Sequence, residues 1–174
     1  MTHAKKLIFA NNGLVGELPS EIGDLAQLEA LELESNGISG NIPDTLSEMK
    51  SLKRLILAKN SLIGTIPYSL YDMSSLQVLS ISENKISGHI SSNMKRLTNL
   101  REAYFWSNML TGTIPEQIGD LSSLDIFQVN HNQITGTMPS SVCYLSLDSL
   151  FADCAKNSAG EVKVECDCCH VCYS

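Results

Sequence analysis

The chain has 174 residues, 43% of them hydrophobic and 18% charged, and a formal net charge of −7. That is apolar enough to fill one core, and too acidic for non-specific attraction to nucleic acid or an anionic membrane, both of which require a basic surface. No run approaches the ~20 apolar residues of a membrane-spanning helix, and no Asn-x-Ser/Thr glycan acceptor occurs.

From the first residues onward one pattern governs the chain. Asn12, Asn36, Asn60, Asn84, Asn108 and Asn132 recur at a constant spacing of 24 residues. Around each, the order is Leu-x-x-Leu-x-Leu-x-x-Asn-x-Leu-x-Gly-x-Ile-Pro-x-x-Leu-x-x-Leu, as in Leu28, Leu31, Leu33, Asn36, Ile38, Gly40, Ile42, Pro43, Leu46 and Met49. All six copies keep the glycine, and Ser91 alone replaces the proline. A fixed repeat of this length specifies a solenoid, because one repeat cannot bury its apolar face and a stack of them can.

Each repeat opens with a short parallel strand. Alternation turns Leu31/Leu33, Leu55/Leu57, Leu79/Ile81, Ala103/Phe105 and Phe127/Val129 inward and sends their neighbours to the opposite face. The asparagine follows at the bend, where its amide both donates and accepts; stacked, the six form a structural ladder. The apolar residues on either side of the glycine bracket a second extended segment. The proline ends it, and apolar residues three apart, such as Ile118 and Leu121, then suit one helical turn on the convex side.

The Leu-x-Gly-x-Ile-Pro segment resembles the plant-type subfamily of leucine-rich-repeat proteins, found in receptor-kinase ectodomains and in secreted polygalacturonase-inhibiting proteins. The resemblance implies an α/β solenoid: a right-handed superhelix with a concave parallel β-sheet and short convex helical turns. Six repeats are expected over 1–147 and a cysteine-rich C-terminal cap over 148–174. Because Leu7, Phe9 and Asn12 are already in register near the start, with no capping segment or apolar signal core before them, the sequence is expected to be the C-terminal part of a longer protein, or a truncated gene product, with the N-terminal cap missing.

Cys143, Cys154, Cys166, Cys168, Cys169 and Cys172 all follow the last proline of the repeats. Leu147, Leu150 and Ala152 continue the strand pattern one residue early, which puts Cys154 near the next ladder position. An even number gathered at one end fits disulfides and an oxidising compartment, with the connectivity open. The rival is zinc held by thiolates and His170, although the separated Cys-x-x-Cys pairs of ordinary zinc modules are lacking. The Ala-Asp-Cys and terminal Cys-x-Cys-Cys cluster resembles the cap of algal leucine-rich-repeat proteins. The resemblance implies a disulfide-bonded cap, no metal and an extracellular or cell-surface location.

The outward strand positions define the candidate binding face: Arg54 and Ile56, Ser80 and Ser82, Glu102, Tyr104 and Trp106, then Gln128. Tyr104 and Trp106, the one tryptophan, stand beside the two serines, whose small side chains leave room for a partner, and large aromatics are common interface anchors. Glu32 and Glu34 are placed to pair with Arg54 and Lys59 across the sheet. His131 falls at the ladder edge and His89 off the concave face.

No phosphate loop, Gly-x-Ser-x-Gly elbow or His-Glu-x-x-His motif occurs, so neither catalysis nor a cofactor is expected. The function expected is recognition of a protein or peptide on the concave sheet, as a secreted protein or part of a receptor ectodomain. The alternative is an inhibitor or wall-associated protein of the polygalacturonase-inhibiting type, whose target is an enzyme or a glycan. An irregular column of Thr65, Thr113 and Thr137 after the glycines suits ice or glycan lattice matching poorly.

Overall fold

In a computed structural model, which describes residues 4–156 and 159–174, the register becomes a stack of right-turning coils. The strands Lys6–Ile8, Ala30–Glu32, Arg54–Ile56, Val78–Ser80, Glu102–Tyr104, Ile126–Gln128, Ser149–Ala152 and Val171–Cys172 pair in that order into one eight-stranded sheet, parallel throughout. Leu7 faces Leu31, Leu31 faces Leu55, Leu55 faces Leu79 and Leu79 faces Ala103, so like positions stack without slip. Pairing outlasts the formal strands: Leu33 N donates to Ile56 O at 2.8 Å, and Leu57 N to Ser80 O at 2.8 Å.

All five expected inward pairs are buried, and Phe105 and Phe127 meet edge to face with centroids 6.3 Å apart. The second extended segment is present as well, forming two three-stranded parallel sheets joined by a bridge from Thr65 to Ser87. On the convex side the expected turns are 3-10 helices at Ser20–Asp24, Asp44–Glu48, Tyr68–Asp72, Ser92–Arg96 and Glu116–Asp120, followed by an α-helical turn at Ser140–Cys143. Successive turns approach closely. A Cβ on Gly119 would lie 2.4 Å from Ser141 Cβ, which no side chain there could accommodate.

Ser91, the exception to the proline column, shows what the ring replaces. Its φ of −77° is one that proline adopts, but its Oγ accepts from Asn93 N at 3.1 Å, and its N–H reaches Tyr71 Oη at 3.5 Å. The buried Tyr71 phenol thereby gains a partner that a proline could not supply.

The ladder is built as its chemistry dictates. Asn84 Oδ1 accepts from Leu62 N at 2.9 Å, and its Nδ2 donates to Leu57 O, Ile81 O and Ser82 O. Asn36, Asn60, Asn108 and Asn132 bond in the same way, each tying its own bend to the coil before it. At the C-terminal end Asp153, the residue next to Cys154, continues the ladder. Its carboxylate accepts from His131 N at 2.7 Å and Asn132 N at 2.9 Å, while Lys163 Nζ lies 3.7 Å away and compensates the buried charge.

The cap adds two strands to the eight-stranded sheet, Ser149–Ala152 and Val171–Cys172, and a third, Val164–Glu165, that pairs with Gly136–Thr137. Its last strand is fixed by His170, whose N–H donates to Leu150 O at 2.9 Å and whose Nδ1 accepts from Leu150 N at 3.0 Å. The imidazole thus closes the edge in place of a peptide carbonyl, and its ring nitrogen is committed there.

Candidate functional site

The concave sheet carries a depression of about 470 Å³ over its middle coils. Arg54, Ile56, Ser80, Ser82, Glu102, Tyr104, Trp106 and Gln128, the residues singled out from sequence, all line it. Its existence follows from side-chain size in neighbouring coils. Ser80 and Ser82 are the smallest pair in their columns, and the strand after them presents Tyr104 and Trp106 at the same two positions. The serines form the floor, 7% and 2% exposed, with their hydroxyls 3.4 Å apart. Their burial was not legible from alternation alone, since it comes from the rings and long side chains standing around them.

The walls are charged in an ordered way. Arg54 Nε bonds Glu32 Oε1 at 2.9 Å, and Lys59 Nζ lies 3.9 Å from Glu34 and 3.7 Å from Glu83, so the expected cross-strand pairing is present. Tyr104 Oη donates to Glu102 Oε2 at 3.0 Å. Burial first, and then the hydrogen bond and charge of Glu102, push the Tyr104 phenol up to about 12, so it remains a donor across any physiological pH. Gln128 closes the far rim, its amide donating to Ser149 Oγ at 3.0 Å.

A feature with no sequence signal completes the wall. The residue before each ladder asparagine has a positive φ: Asn11, Ser35, Lys59, Glu83, Ser107 and His131 lie between 51° and 57°. Glycine or asparagine would advertise such a position, and only Asn11 conforms. This backbone helps bring Glu83 into the wall of the depression. Its Oε1 is buried and without a hydrogen-bond partner.

Asn130 and His131 are part of the end structure. Asn130 is buried, with its Nδ2 2.7 Å from His131 Nδ1, and the His131 ring packs on Tyr173 at 4.7 Å. His89 lies on the second extended segment, 3.2 Å from Thr111 Oγ1.

The six cysteines are fully paired as Cys143–Cys168, Cys154–Cys172 and Cys166–Cys169. The sulfurs of Cys154, Cys166 and Cys169 fall within 4.8 Å of one another, a spacing that would suit a soft metal. Each is already in an S–S bond, so none offers the thiolate that zinc requires, and His170 Nδ1 is occupied. The cluster is therefore a disulfide cap, and the zinc alternative is set aside.

A parallel-coil solenoid with an asparagine ladder, an open concave face and a disulfide-closed end defines the class. Residues 2–109 match the family model described as a leucine-rich repeat region, and the chain belongs to the leucine-rich-repeat family. Among solved structures it is similar to the plant peptide hormone receptor RGFR1 in complex with RGF2, with 31% identity and a TM-score of 0.84 over 87% of this chain and 25% of that one. It is equally similar in fold to the ectodomain of the Arabidopsis thaliana membrane receptor kinase GASSHO1/SCHENGEN3 in complex with CASPARIAN STRIP INTEGRITY FACTOR 2. That match has 32% identity and a TM-score of 0.84 over 95% of this chain and 19% of that one. The ectodomain of the Arabidopsis thaliana receptor kinase SOBIR1 matches at 32% identity and a TM-score of 0.70, over 74% of this chain and 70% of that one. The chain thus spans a quarter or less of the length of the first two receptors. No curated protein sequence matches it.

Proposed function

We propose that the chain is a non-catalytic recognition segment that binds a protein or peptide in the concave depression and works outside the reducing cytosol. The observation that carries this reading is the convergence of Tyr104, Trp106, Arg54, Ile56, Glu102 and Gln128 around the Ser80/Ser82 floor on a rigid sheet. A depression with aromatic walls and polar rims offers a partner both apolar area and orienting hydrogen bonds. Two of the similar structures are receptors solved with a peptide hormone or an integrity factor bound, which supports the same class of ligand here. The three disulfides support an extracellular setting, since such bonds persist where thiols are not kept reduced.

The test is selection of displayed random peptides on the purified, oxidised chain, followed by titration against the wild type, Tyr104→Ala, Trp106→Ala and a convex control, Tyr68→Ala. Selected peptides should lose about tenfold or more in affinity with either concave variant and none with the control. Binders that respond to Tyr68→Ala and ignore Trp106→Ala would move the site off the concave sheet.

A further inference from the structure

The charges around the depression do not cancel. Four carboxylates line it, from Glu32, Glu34, Glu83 and Glu102, against two cations, Arg54 and Lys59. Both cations are engaged: Arg54 bonds Glu32 directly, and Lys59 is shared between Glu34 and Glu83. Glu102 has no ion pair among the described residues and holds only the Tyr104 hydroxyl. Glu83 Oε1 has Lys59 Nζ at 3.7 Å, an ion pair too long for a hydrogen bond, and no hydrogen-bond donor, although the side chain as a whole is 35% exposed. A buried carboxylate oxygen without a donor is costly, and a ligand that supplies one recovers that cost.

Glu102 accepts from the Tyr104 hydroxyl, and Glu83 and Trp106 line the same depression. Glu102 and Tyr104 flank one end of the floor, opposite Val78 and Ser80. Glu83 lies at the other end, where its N–H bonds Trp106 O at 3.0 Å. Carboxylate plus aromatic face is the pairing that attracts a guanidinium or ammonium group, the first by charge and hydrogen bonding and the second through the ring quadrupole.

Taking the concave face as the binding face, as proposed above, we infer that its ligand is a basic, extended peptide. One Arg or Lys side chain is held by Glu102 and Tyr104 and a second by Glu83 and Trp106, with small residues between them over Ser80 and Ser82. From Val78, the partner of Glu102, to Glu83 the strand advances five residues, so at about 3.3 Å per residue the two ends are on the order of 15 Å apart. An extended peptide reaches that span with basic residues about four apart, both on one face. The net charge of −7 favours the encounter.

The single tryptophan is itself the reporter, because Trp106 lines the depression. The probe is an end-capped Gly/Ser peptide carrying two arginines four residues apart, compared with versions carrying two glutamates or two glutamines. Saturable change of Trp106 fluorescence is expected with the arginine peptide alone, weakening as salt is raised. Glu83→Gln and Glu102→Gln, which keep side-chain shape, should each weaken it about fivefold or more, allowing for partial exposure. Glu48→Gln, on the convex side, should leave it unchanged. Equal response to the glutamate or glutamine peptide, or indifference to both concave Gln variants, overturns the charge assignment while leaving the concave face as the binding site. Silence toward all three peptides, with selected peptides still reporting through Trp106, overturns the basic-ligand inference alone. Silence toward every peptide overturns both readings.

Discussion

Single residues carry this molecule's chemistry according to what the adjacent coil offers them. Asn84 and Asn12 are the same residue at the same place in the repeat, yet Asn84 bonds four backbone groups across two coils whereas Asn12 Nδ2 bonds Ala10 O within its own bend. Asn84→Ala should therefore cost about 1–3 kcal/mol, since it leaves backbone groups unpaired in the interior of the stack. Asn12→Ala should stay within about 0.5 kcal/mol, as for an ordinary surface change. Urea denaturation of the two variants side by side checks the contrast. Tyr104 invites a second measurement. Its folded-state pKa of about 12 lies above the ordinary 10, so the protonated phenol is favoured by folding. Its contribution to stability is fully present below pH 10 and is lost as pH rises from 10 towards 12. Absorbance titration should show a late-ionising tyrosine that disappears in Tyr104→Phe and moves to lower pH in Glu102→Gln.

At the scale of elements, the strands and turns were legible because their causes are periodic. Leu55, Leu57, Leu79 and Ile81 recur at the same two positions of each repeat in a register that never slips, and a slip of one residue would have inverted every side chain. What was not legible depends on neighbours distant in sequence or on backbone torsion: the burial of Ser80 and Ser82 among adjoining coils, the positive φ at Lys59 and Glu83, and the substitution of Asp153 for a ladder asparagine and of His170 Nδ1 for a backbone carbonyl. The fourth convex turn tests how far the repeat rule governs. Restoring the column with Ser91→Pro would gain about 0.4–1 kcal/mol by restricting the unfolded chain. It would also remove the Ser91 Oγ cap on Asn93 N, worth about 1 kcal/mol, and leave the buried Tyr71 hydroxyl without its donor, for about 1 kcal/mol more. The losses win, and Ser91→Pro should be destabilising by about 1 kcal/mol. Adding Tyr71→Phe should recover part of the loss, which a double-mutant cycle measures.

For the whole molecule, the C-terminal end of the stack is held by covalent bonds. At the N-terminal end Ile8, Phe9, Leu14 and Val15 are exposed, and Val15 is 82% accessible. At the other end Leu147, Leu150 and Val164 are buried within the cap region, which Cys143–Cys168 ties to the last convex turn, while Cys154–Cys172 fixes its final strand. These two bonds close segments of 25 and 18 residues, so each should contribute about 3 kcal/mol through the unfolded chain, whereas Cys166–Cys169, with a separation of 3, constrains little. Because a solenoid's stability is a sum over coils and their neighbour interfaces, the loss should stay local. The double variant Cys143→Ser/Cys168→Ser should raise amide hydrogen exchange in Ser140–Cys143 and Ser149–Ala152, while the strands Arg54–Ile56 and Val78–Ser80 keep wild-type protection. Cys166→Ser/Cys169→Ser should change exchange little anywhere. Uniform loss of protection across the stack in the first variant would mean that the coils unfold as one unit and that the cap governs the whole array, including the concave depression.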